Sequence, residues 1–377
     1  MALLQMSIFS VSPKPLSREF STHLDLLRSG AALFVMLTHL ANRGLGPDNV
    51  LLAIPKRGHD AVILFFVLSG YVISAAADRK RLQGLREFAL DRMARVYSVA
   101  IPVLLISTVL ALLFFDISAT PQKWYTGTDY PYITLSLNLV FIGQSWQLNM
   151  TPFMNQPFWS LCYEVMYYAG FAFFLFLRGW PRVVAMLLVA ILAGPKILIL
   201  MPCWLLGAGA YHLRDGWRLE RPVALLVAFI LPVIILLVLH RIGFAPAVRA
   251  FTTIWFSNAY ELLDSSKDFL IDYVTASLVA VHLYAVRYLG MRWPEWLNSV
   301  IATCAAMSFT LYLLHDPLLS LVAIAFGPQR SGWEALLVAT IGVPIICYGI
   351  AGVTELRRGA VRQWLDRWLP GGKRAAA

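Results

Sequence analysis

Long apolar runs separated by short polar segments recur along the whole 377-residue chain. A helix needs about 20 mainly apolar residues to cross a bilayer. Five runs of this kind carry no charge, at 61–77, 96–115, 197–213, 222–239 and 335–354. Five more contain a polar interruption, at 29–41, 158–177, 183–194, 269–286 and 300–326. The pattern therefore predicts an all-α, polytopic membrane protein with about ten spanning helices.

Basic residues orient these helices, because Lys and Arg are enriched in the cytoplasmic loops of membrane proteins. With the amino terminus inside, the cytoplasmic segments hold 22 of the 31 Lys and Arg residues. An eleventh apolar run, 133–143, is short and leads into Gln144. If this run crossed the bilayer, every basic segment after it would change sides. We therefore expect ten spans with both termini cytoplasmic, and an interfacial or re-entrant position for 133–143.

The amino-acid composition narrows the classes of protein to which the chain can belong. The chain is 59% hydrophobic and 14% charged, with a mean hydropathy of +0.67, whereas soluble proteins have about 45–50% apolar and about 25% charged residues. These values exclude an ordinary cytosolic enzyme and a disordered chain. They also argue against nucleic-acid binding, because the net charge of +10 fits cytoplasmic loops. The four cysteines are far apart in sequence, so we expect them to be small apolar side chains in the core or facing lipid rather than metal ligands.

The longest predicted outer segment, 116–157, is rich in aromatic and amide side chains. These are Trp124, Tyr125, Tyr130, Tyr132, Trp146, Asn149 and Asn155. Such residues suit either a belt at the membrane interface, which we favour, or stacking against sugars.

Titratable side chains within predicted spans are costly, so they usually face protein or a cavity. Arg28 and His39 lie three helical turns apart on one face of the first span, about 16 Å along its axis. In the predicted orientation, Arg28 is at the cytoplasmic edge and His39 is toward the outer side. The structural alternative is that Arg28 anchors the helix at the membrane interface and that His39 is a buried, neutral histidine.

Two further groups have plain structural explanations beside functional ones. Asp60 begins the second span, where the helix dipole stabilises an acid, and Ser69-Gly70 in mid-span permits close helix contact. Arg92 and Arg95 share a helix face, and such a pair can grip a phosphate or simply anchor a cytoplasmic loop.

Two later spans also contain ionisable side chains. Glu164 lies within 158–177, where an acid needs a cation or a proton. Tyr312, His315, Asp316 and Pro317 lie within 300–326. Pro317 is expected to kink the helix and free a backbone carbonyl. Polar groups at such a kink often face a cavity, but Asp316 could also pair with His315.

Together these residues resemble the acyltransferase-3 family of integral membrane O-acyltransferases. The resemblance runs from about Leu24 to about Glu355. Five sequence motifs carry it. They are residues 24–28 followed by His39, residues 62–70, Arg92-x-x-Arg95, Trp159-Ser160-Leu161-x-x-Glu164 and residues 312–317. It implies transfer of an acyl group, usually acetyl, from cytoplasmic acyl-CoA to a hydroxyl of a cell-envelope glycan or another extracytoplasmic acceptor.

The resemblance implies that Arg28 and His39 are essential and that Arg92 and Arg95 handle the acyl donor. Their chemistry agrees, since arginines suit the phosphates of coenzyme A and a histidine can act as general base on an acceptor hydroxyl. We expect Glu164 to orient His39, as the acid of a catalytic triad does. We assign Arg28 to donor binding. Asp60, Ser69, Tyr312 and His315 are expected at a cavity or on the acceptor side.

The expected organisation is a lead-in at 1–23, a transmembrane acyltransferase-like domain at 24–355 and a basic cytoplasmic tail at 356–377. The expected location is a bacterial inner membrane. The expected partners are acyl-CoA, a carbohydrate or other hydroxyl acceptor and the bilayer, with no metal and no nucleic acid. One alternative is a transporter or flippase with an intramembrane His/Glu proton relay. A non-catalytic scaffold would leave the intramembrane ionisable residues unexplained.

Overall fold

The computed structural model describes residues 15–114, 131–152, 154–256 and 262–368. The regular structure in these ranges is helical and contains no strand, which confirms the all-α class. The helices are α1 (Arg18–Asn42), α2 (Asp48–Leu51), α3 (Gly58–Lys80), α4 (Gly84–Phe114), α5 (Pro131–Leu139), α6 (Phe158–Phe176), α7 (Gly179–Ala193), α8 (Pro195–His212), α9 (Arg221–Arg241), α10 (Phe244–Phe256), α11 (Phe269–Val286), α12 (Glu295–Phe326), α13 (333–353) and α14 (Arg358–Trp368).

Short irregular turns interrupt or join several of these helices. Single π-helical turns lie within α9 at Leu226–Ile230 and within α13 at Val338–Gly342. The 3₁₀ turn Glu355–Arg357 follows α13 and leads directly into α14. Of two further 3₁₀ turns, Leu213–Asp215 follows α8 and Asp264–Ser266 precedes α11.

Seven of the described helical stretches are long and apolar enough to cross a membrane. They are α1, α4, α3, α9, α11, α12 and the stretch Trp333–Trp368. The pair α7 and α8, bent by 116°, makes an eighth if it is counted as one span. Each of the ten predicted segments coincides with a helix, but α6, which carries Glu164, is not among the seven. A membrane protein is therefore supported, while ten spans and cytoplasmic termini stay predictions.

The eleventh apolar run forms α5, a helix of nine residues. The nine described residues rise about 13 Å, less than half of a hydrocarbon core of about 30 Å, so this described stretch is too short to cross a bilayer. In the segment that follows, Trp146 is largely exposed and Asn155 is fully buried. Trp124, Tyr125 and Tyr130 lie outside the described residues. All four cysteines are free, and three of them are fully buried.

The core of the fold is built around α3, the most enclosed of the seven stretches. It packs against α8, α1 and α11, while α1 also packs along α12. In turn, α12 contacts α4 and α13, and α14 lies against α4. Helices α1 and α12 therefore run side by side although 252 residues, 43–294, separate them in the sequence.

Glycines bring α3 and α8 into unusually close contact. A Cβ atom on Gly70 would lie 2.0 Å from the carbonyl oxygen of Trp204, and one on Gly207 would lie 1.9 Å from that of Val67. Rigid backbone stands in both places, so neither position accepts a side chain. The prediction that Gly70 permits close helix contact is confirmed, and small residues are the usual means of such packing within membranes.

A Gly70→Ala variant should therefore lose about 3 kcal/mol or more of stability, because the added methyl group forces α3 and α8 apart. We expect a clearly lower melting temperature for the purified protein in detergent. Gly209→Ala is the matched control on α8, since a Cβ there would meet nothing within 4 Å. Equal melting temperatures for the two variants would contradict the tight contact.

Candidate active site

A cavity of about 750 Å³ lies among α1, α3, α4, α6, α12 and α14. Its lining is strongly basic, with six arginines against three carboxylates. These residues are Arg28, Arg79, Arg92, Arg95, Arg358 and Arg362, and Asp25, Asp91 and Glu164. The excess of positive charge favours an anionic ligand.

Two of the arginines that line this cavity have N–H groups that form no hydrogen bond among the described residues. Arg28 donates to Asp25 Oδ1 at 3.0 Å and to the carbonyl oxygen of Ala305 at 3.1 Å. The Nε atoms of Arg28 and Arg92 are buried and have no hydrogen-bond partner among the described residues. The guanidinium of Arg95 lies over the ring of Phe309, 5.9 Å from its centroid. Buried donors without partners are costly, so a ligand that accepts hydrogen bonds would stabilise this arrangement.

A group of hydroxyls surrounds the one acid on α6 that lines the cavity. Ser69 Oγ donates to Glu164 Oε1 at 2.5 Å, and the hydroxyl of Tyr168 donates to the same oxygen. The indole N–H of Trp204 donates to Ser69 Oγ at 3.2 Å. Glu164 therefore bonds to two neutral hydroxyls. The expectation that it pairs with a cation or orients His39 is not met in this structure.

The acid beside His39 is instead Asp316 on α12. His39 Nδ1 lies 3.3 Å from Asp316 Oδ1, and Arg43, just after α1, forms an ion pair with the same oxygen. The other carboxylate oxygen accepts from the backbone N–H of Gln156 at 2.9 Å. Asp316 is 1% exposed, whereas the side chain of His39 is 17% exposed.

Two charged groups meet at one nitrogen of His39. Asp316 Oδ1, an acceptor, lies 3.3 Å from Nδ1, and Arg43 Nη1, a donor, lies 3.4 Å from the same atom. With the proton of a neutral imidazole on Nδ1, that nitrogen would donate to Asp316, and Nε2 would carry the free lone pair. With the proton on Nε2, Nδ1 would accept from Arg43 instead.

A second imidazole packs against the first. The rings of His39 and His315 meet edge to face with their centroids 5.1 Å apart. His315 Nδ1 lies 2.9 Å from the carbonyl oxygen of Leu311 and therefore donates to it. The buried Nε2 of His315 has no hydrogen-bond partner among the described residues. His315 contacts His39 directly, as a neutral neighbour rather than as the partner of Asp316.

The segment before α6 holds this part of α12 in place. Helix α12 continues through Pro317, which leaves the carbonyl of Leu313 without its helical donor. The side-chain amide of Asn155 donates to that oxygen at 2.7 Å. Ser160 Oγ lies 2.7 Å from the hydroxyl of Tyr312. The freed carbonyl expected from the proline is thus present, and a buried amide satisfies it.

The basic cavity and the His39 cluster are separate. Phe65 and Tyr312 both line the cavity, and their ring centroids lie 5.0 Å apart. The ring of Tyr312 is 6.4 Å from that of His315, while His39 does not line the cavity. Tyr312 therefore belongs to the cavity lining and also contacts the histidine cluster through His315.

Comparisons with known proteins identify the family of the chain. A family model described as an acyltransferase domain matches residues 22–352. The chain belongs to the acyltransferase-3 family. It is also similar to a protein named acyltransferase MdmB from Streptomyces mycarofaciens, with 25% identity over 361 residues, covering 86% of this chain and 87% of that protein. No solved structure matches the chain significantly.

As a member of the acyltransferase-3 family, the protein is a membrane acyltransferase, and the structure shows where its predicted site residues lie. Arg28, Arg92 and Arg95 line the basic cavity. Ser69, Glu164 and Tyr312 line it too, while His39 and His315 form the separate cluster. Asp60 joins neither group. It lies in the first turn of α3, 3.6 Å from Arg57, where the helix dipole stabilises an acid, but it forms no capping hydrogen bond within the described helix.

Two residues of the histidine cluster of this acyltransferase were missed by the sequence analysis. Arg43 was not singled out, although its spacing of four from His39 places both on one helical face. Asp316 was considered only as a partner of His315. No local signal connects it with His39, because the pairing depends on how α1 packs against α12.

The same cluster has the spacing of a metal-binding set. One ligand atom from each of His39, His315 and Asp316 lies within 4.8 Å of the others. The guanidinium of Arg43, however, already neutralises the carboxylate and would repel a metal cation. We therefore interpret these residues as a proton-transfer group.

Proposed function

We propose that this acyltransferase moves an acyl group, acetyl by the habit of its family, from cytoplasmic acyl-CoA to a hydroxyl of an extracytoplasmic or lipid-linked carbohydrate. One observation carries the proposal: an arginine-lined cavity and an Asp316–His39 pair lie in the same fold. The aromatic pair of Phe65 and Tyr312 lines that cavity. In the proposed orientation, both termini are cytoplasmic and the membrane is a bacterial inner membrane.

Charge supports coenzyme A as the donor. Its 3′-phosphate and diphosphate together carry about four negative charges near neutral pH. The cavity offers six arginines and three carboxylates, and the unpartnered Nε donors of Arg28 and Arg92 lie among them. Arginine binds phosphate through charge-assisted, bidentate hydrogen bonds. Arg28, Arg92 and Arg95 would therefore bind the donor.

The length of the donor also fits. Ser69 and Arg79 line the cavity ten residues apart on α3, about 15 Å along the helix axis. The pantetheine arm has about twelve bonds from the diphosphate to sulfur, or roughly 13–14 Å at the advance of an extended chain. With its phosphates near Arg79, the arm would bring the thioester to the hydroxyls around Glu164.

His39 would supply the base. Its Nε2 takes the proton of the acceptor hydroxyl as that oxygen attacks the thioester carbonyl carbon. The C–S bond then breaks, and coenzyme A leaves as the thiol once it has been protonated. Asp316 holds the imidazole and offsets its positive charge, as the acid of a catalytic triad does. Because His39 does not line the cavity, transfer requires a movement that opens a path between them, and Tyr312, which lines the cavity and lies near His315, is the side chain we propose to move.

The His/Glu proton relay of a transporter has less support. Glu164 bonds to Ser69 and Tyr168 in the cavity, whereas His39 bonds to Asp316 outside it. The two ionisable groups of the supposed relay therefore belong to different clusters. Family membership also points to a transferase.

The proposal is tested with labelled acetyl-CoA and membrane vesicles that contain the protein. We expect label to reach envelope glycans in inside-out vesicles, and no transfer when the donor is outside right-side-out vesicles. An Arg92→Ala, Arg95→Ala variant should raise the KM for acetyl-CoA at least tenfold and change use of the acceptor less. Transfer only from right-side-out vesicles would contradict the orientation. An unchanged KM for acetyl-CoA would show that the two arginines only fix the orientation of the protein in the membrane.

A further inference from the structure

The carboxy-terminal helix α14 forms part of the wall of the basic cavity. Arg358, Gly359 and Arg362, all in α14, line it together with arginines of α1 and α4. The sequence analysis treated residues 356–377 as a basic tail, with no role in the site. The structure instead places the start of this segment beside the proposed donor.

Ion pairs fix α14 on α4. Arg362 pairs with Glu87 at 2.5 Å and with Asp91 at 2.6 Å, and Arg86 pairs with Asp366 at 2.7 Å. Leu365 packs into a small apolar contact with Leu90 and Ala94. A network of several charges holds a surface helix better than isolated pairs do. The helix is therefore anchored at a defined position.

The anchoring contacts distinguish two cavity arginines of α14. Arg362 is engaged by two carboxylates, whereas Arg358 is exposed and forms no described ion pair. Arg358 lines the same cavity as Arg28 and Arg92. Like charges around one cavity repel each other, so an anion placed between them is favoured.

We propose that Arg358 binds the phosphates of the donor nucleotide, so that α14 is part of the acyl-CoA site. This inference rests on the proposed function and makes it more specific. The enzyme then selects a thioester that carries a phosphorylated nucleotide over the thioester of bare pantetheine. Arg79, on the same cavity wall at the end of α3, would be the neighbouring phosphate ligand.

The test compares three donors: acetyl-CoA, acetyl-dephospho-CoA, which lacks the 3′-phosphate, and acetyl-pantetheine, which lacks the nucleotide. We expect Arg358→Ala to raise the KM for acetyl-CoA roughly ten- to hundredfold and to leave the slow reaction of acetyl-pantetheine unchanged. Arg357→Ala is the matched control, because Arg357 is exposed, adjacent in sequence and absent from the cavity lining. It should behave as the wild type with all three donors.

Acetyl-dephospho-CoA identifies which phosphate is bound. If the effect of Arg358→Ala disappears with this donor, Arg358 binds the 3′-phosphate, and if the effect remains, it binds the diphosphate. Both results support the proposal. An equal loss with all three donors would show that Arg358 only supports the fold. An unchanged KM for acetyl-CoA would also overturn the inference.

A binding measurement covers the case in which turnover is too slow to compare. Coenzyme A should raise the melting temperature of the wild type and of Arg357→Ala in detergent, and should raise that of Arg358→Ala much less. Equal shifts for all three proteins would overturn the role of Arg358 and leave acyl transfer intact. If the wild type uses none of the three donors, the proposed function fails, and this inference fails with it.

Discussion

Replacement of His39 by alanine is expected to lower the rate of acyl transfer by about 10²–10⁴-fold, the usual contribution of a general base. The loss should appear in kcat, because the donor cavity does not include His39. The amount of protein in the membrane should stay unchanged, since the side chain lies at the end of α1 and is partly exposed. Steady-state rates with labelled acetyl-CoA, normalised to protein amount, measure the effect.

His23→Gln is the control for this experiment. His23 lies on the same helix and bonds to His282 at 2.8 Å, away from Asp316. It should retain most of the activity if the effect belongs to the His39 cluster rather than to any buried histidine of α1. Full activity of His39→Ala would remove this residue from the mechanism.

The second large effect is expected at Asp316. An Asp316→Asn variant keeps the shape of the side chain, and its amide oxygen can still accept from the backbone N–H of Gln156. It loses the charge that orients His39 and neutralises Arg43. We expect kcat to fall by about 10²–10⁴-fold, similar to the loss of the base itself, because the two residues act as a unit.

Glu164→Gln is the informative comparison for Asp316→Asn. Glu164 bonds to Ser69 and Tyr168 in the cavity, so we expect its amide variant to change the KM for acetyl-CoA more than kcat. The double variant His39→Ala, Asp316→Asn should be no slower than His39→Ala alone. If instead Glu164→Gln abolished turnover and Asp316→Asn did not, Glu164 would be the partner of His39, as the sequence analysis expected.

Much of the site could be found from the sequence because a bilayer makes buried polar groups conspicuous. An ionisable side chain in an apolar span has a high cost, so each one marks a place where protein or a cavity replaces lipid. Arg28 and Glu164 were singled out in this way, whereas Ser69 and Tyr312 entered with the motifs of the family resemblance, and all four line the same cavity. Helical periodicity also placed Arg92 and Arg95 on one face, and both line that cavity.

The pairing of these groups was harder to predict. The expected partner of His39 was Glu164, but α1 packs along α12, so the carboxylate of Asp316 lies there instead, 277 residues further along the chain. The role of α14 was missed for a similar reason. Its arginines look like any basic tail until the ion pairs with Glu87 and Asp91 place it beside the cavity.

The sequence by itself determined an all-helical membrane protein, its acyltransferase family and most of the side chains of the candidate site. Periodicity and hydropathy are local properties, so they show which face of a helix is polar and where the helix begins and ends. Only the tertiary structure decided which polar faces meet, because that depends on how helices far apart in the sequence pack, as where Gly70 meets the backbone of Trp204 and where α1 lies along α12. This packing places His39 with Asp316 and Glu164 with Ser69, in two separate clusters.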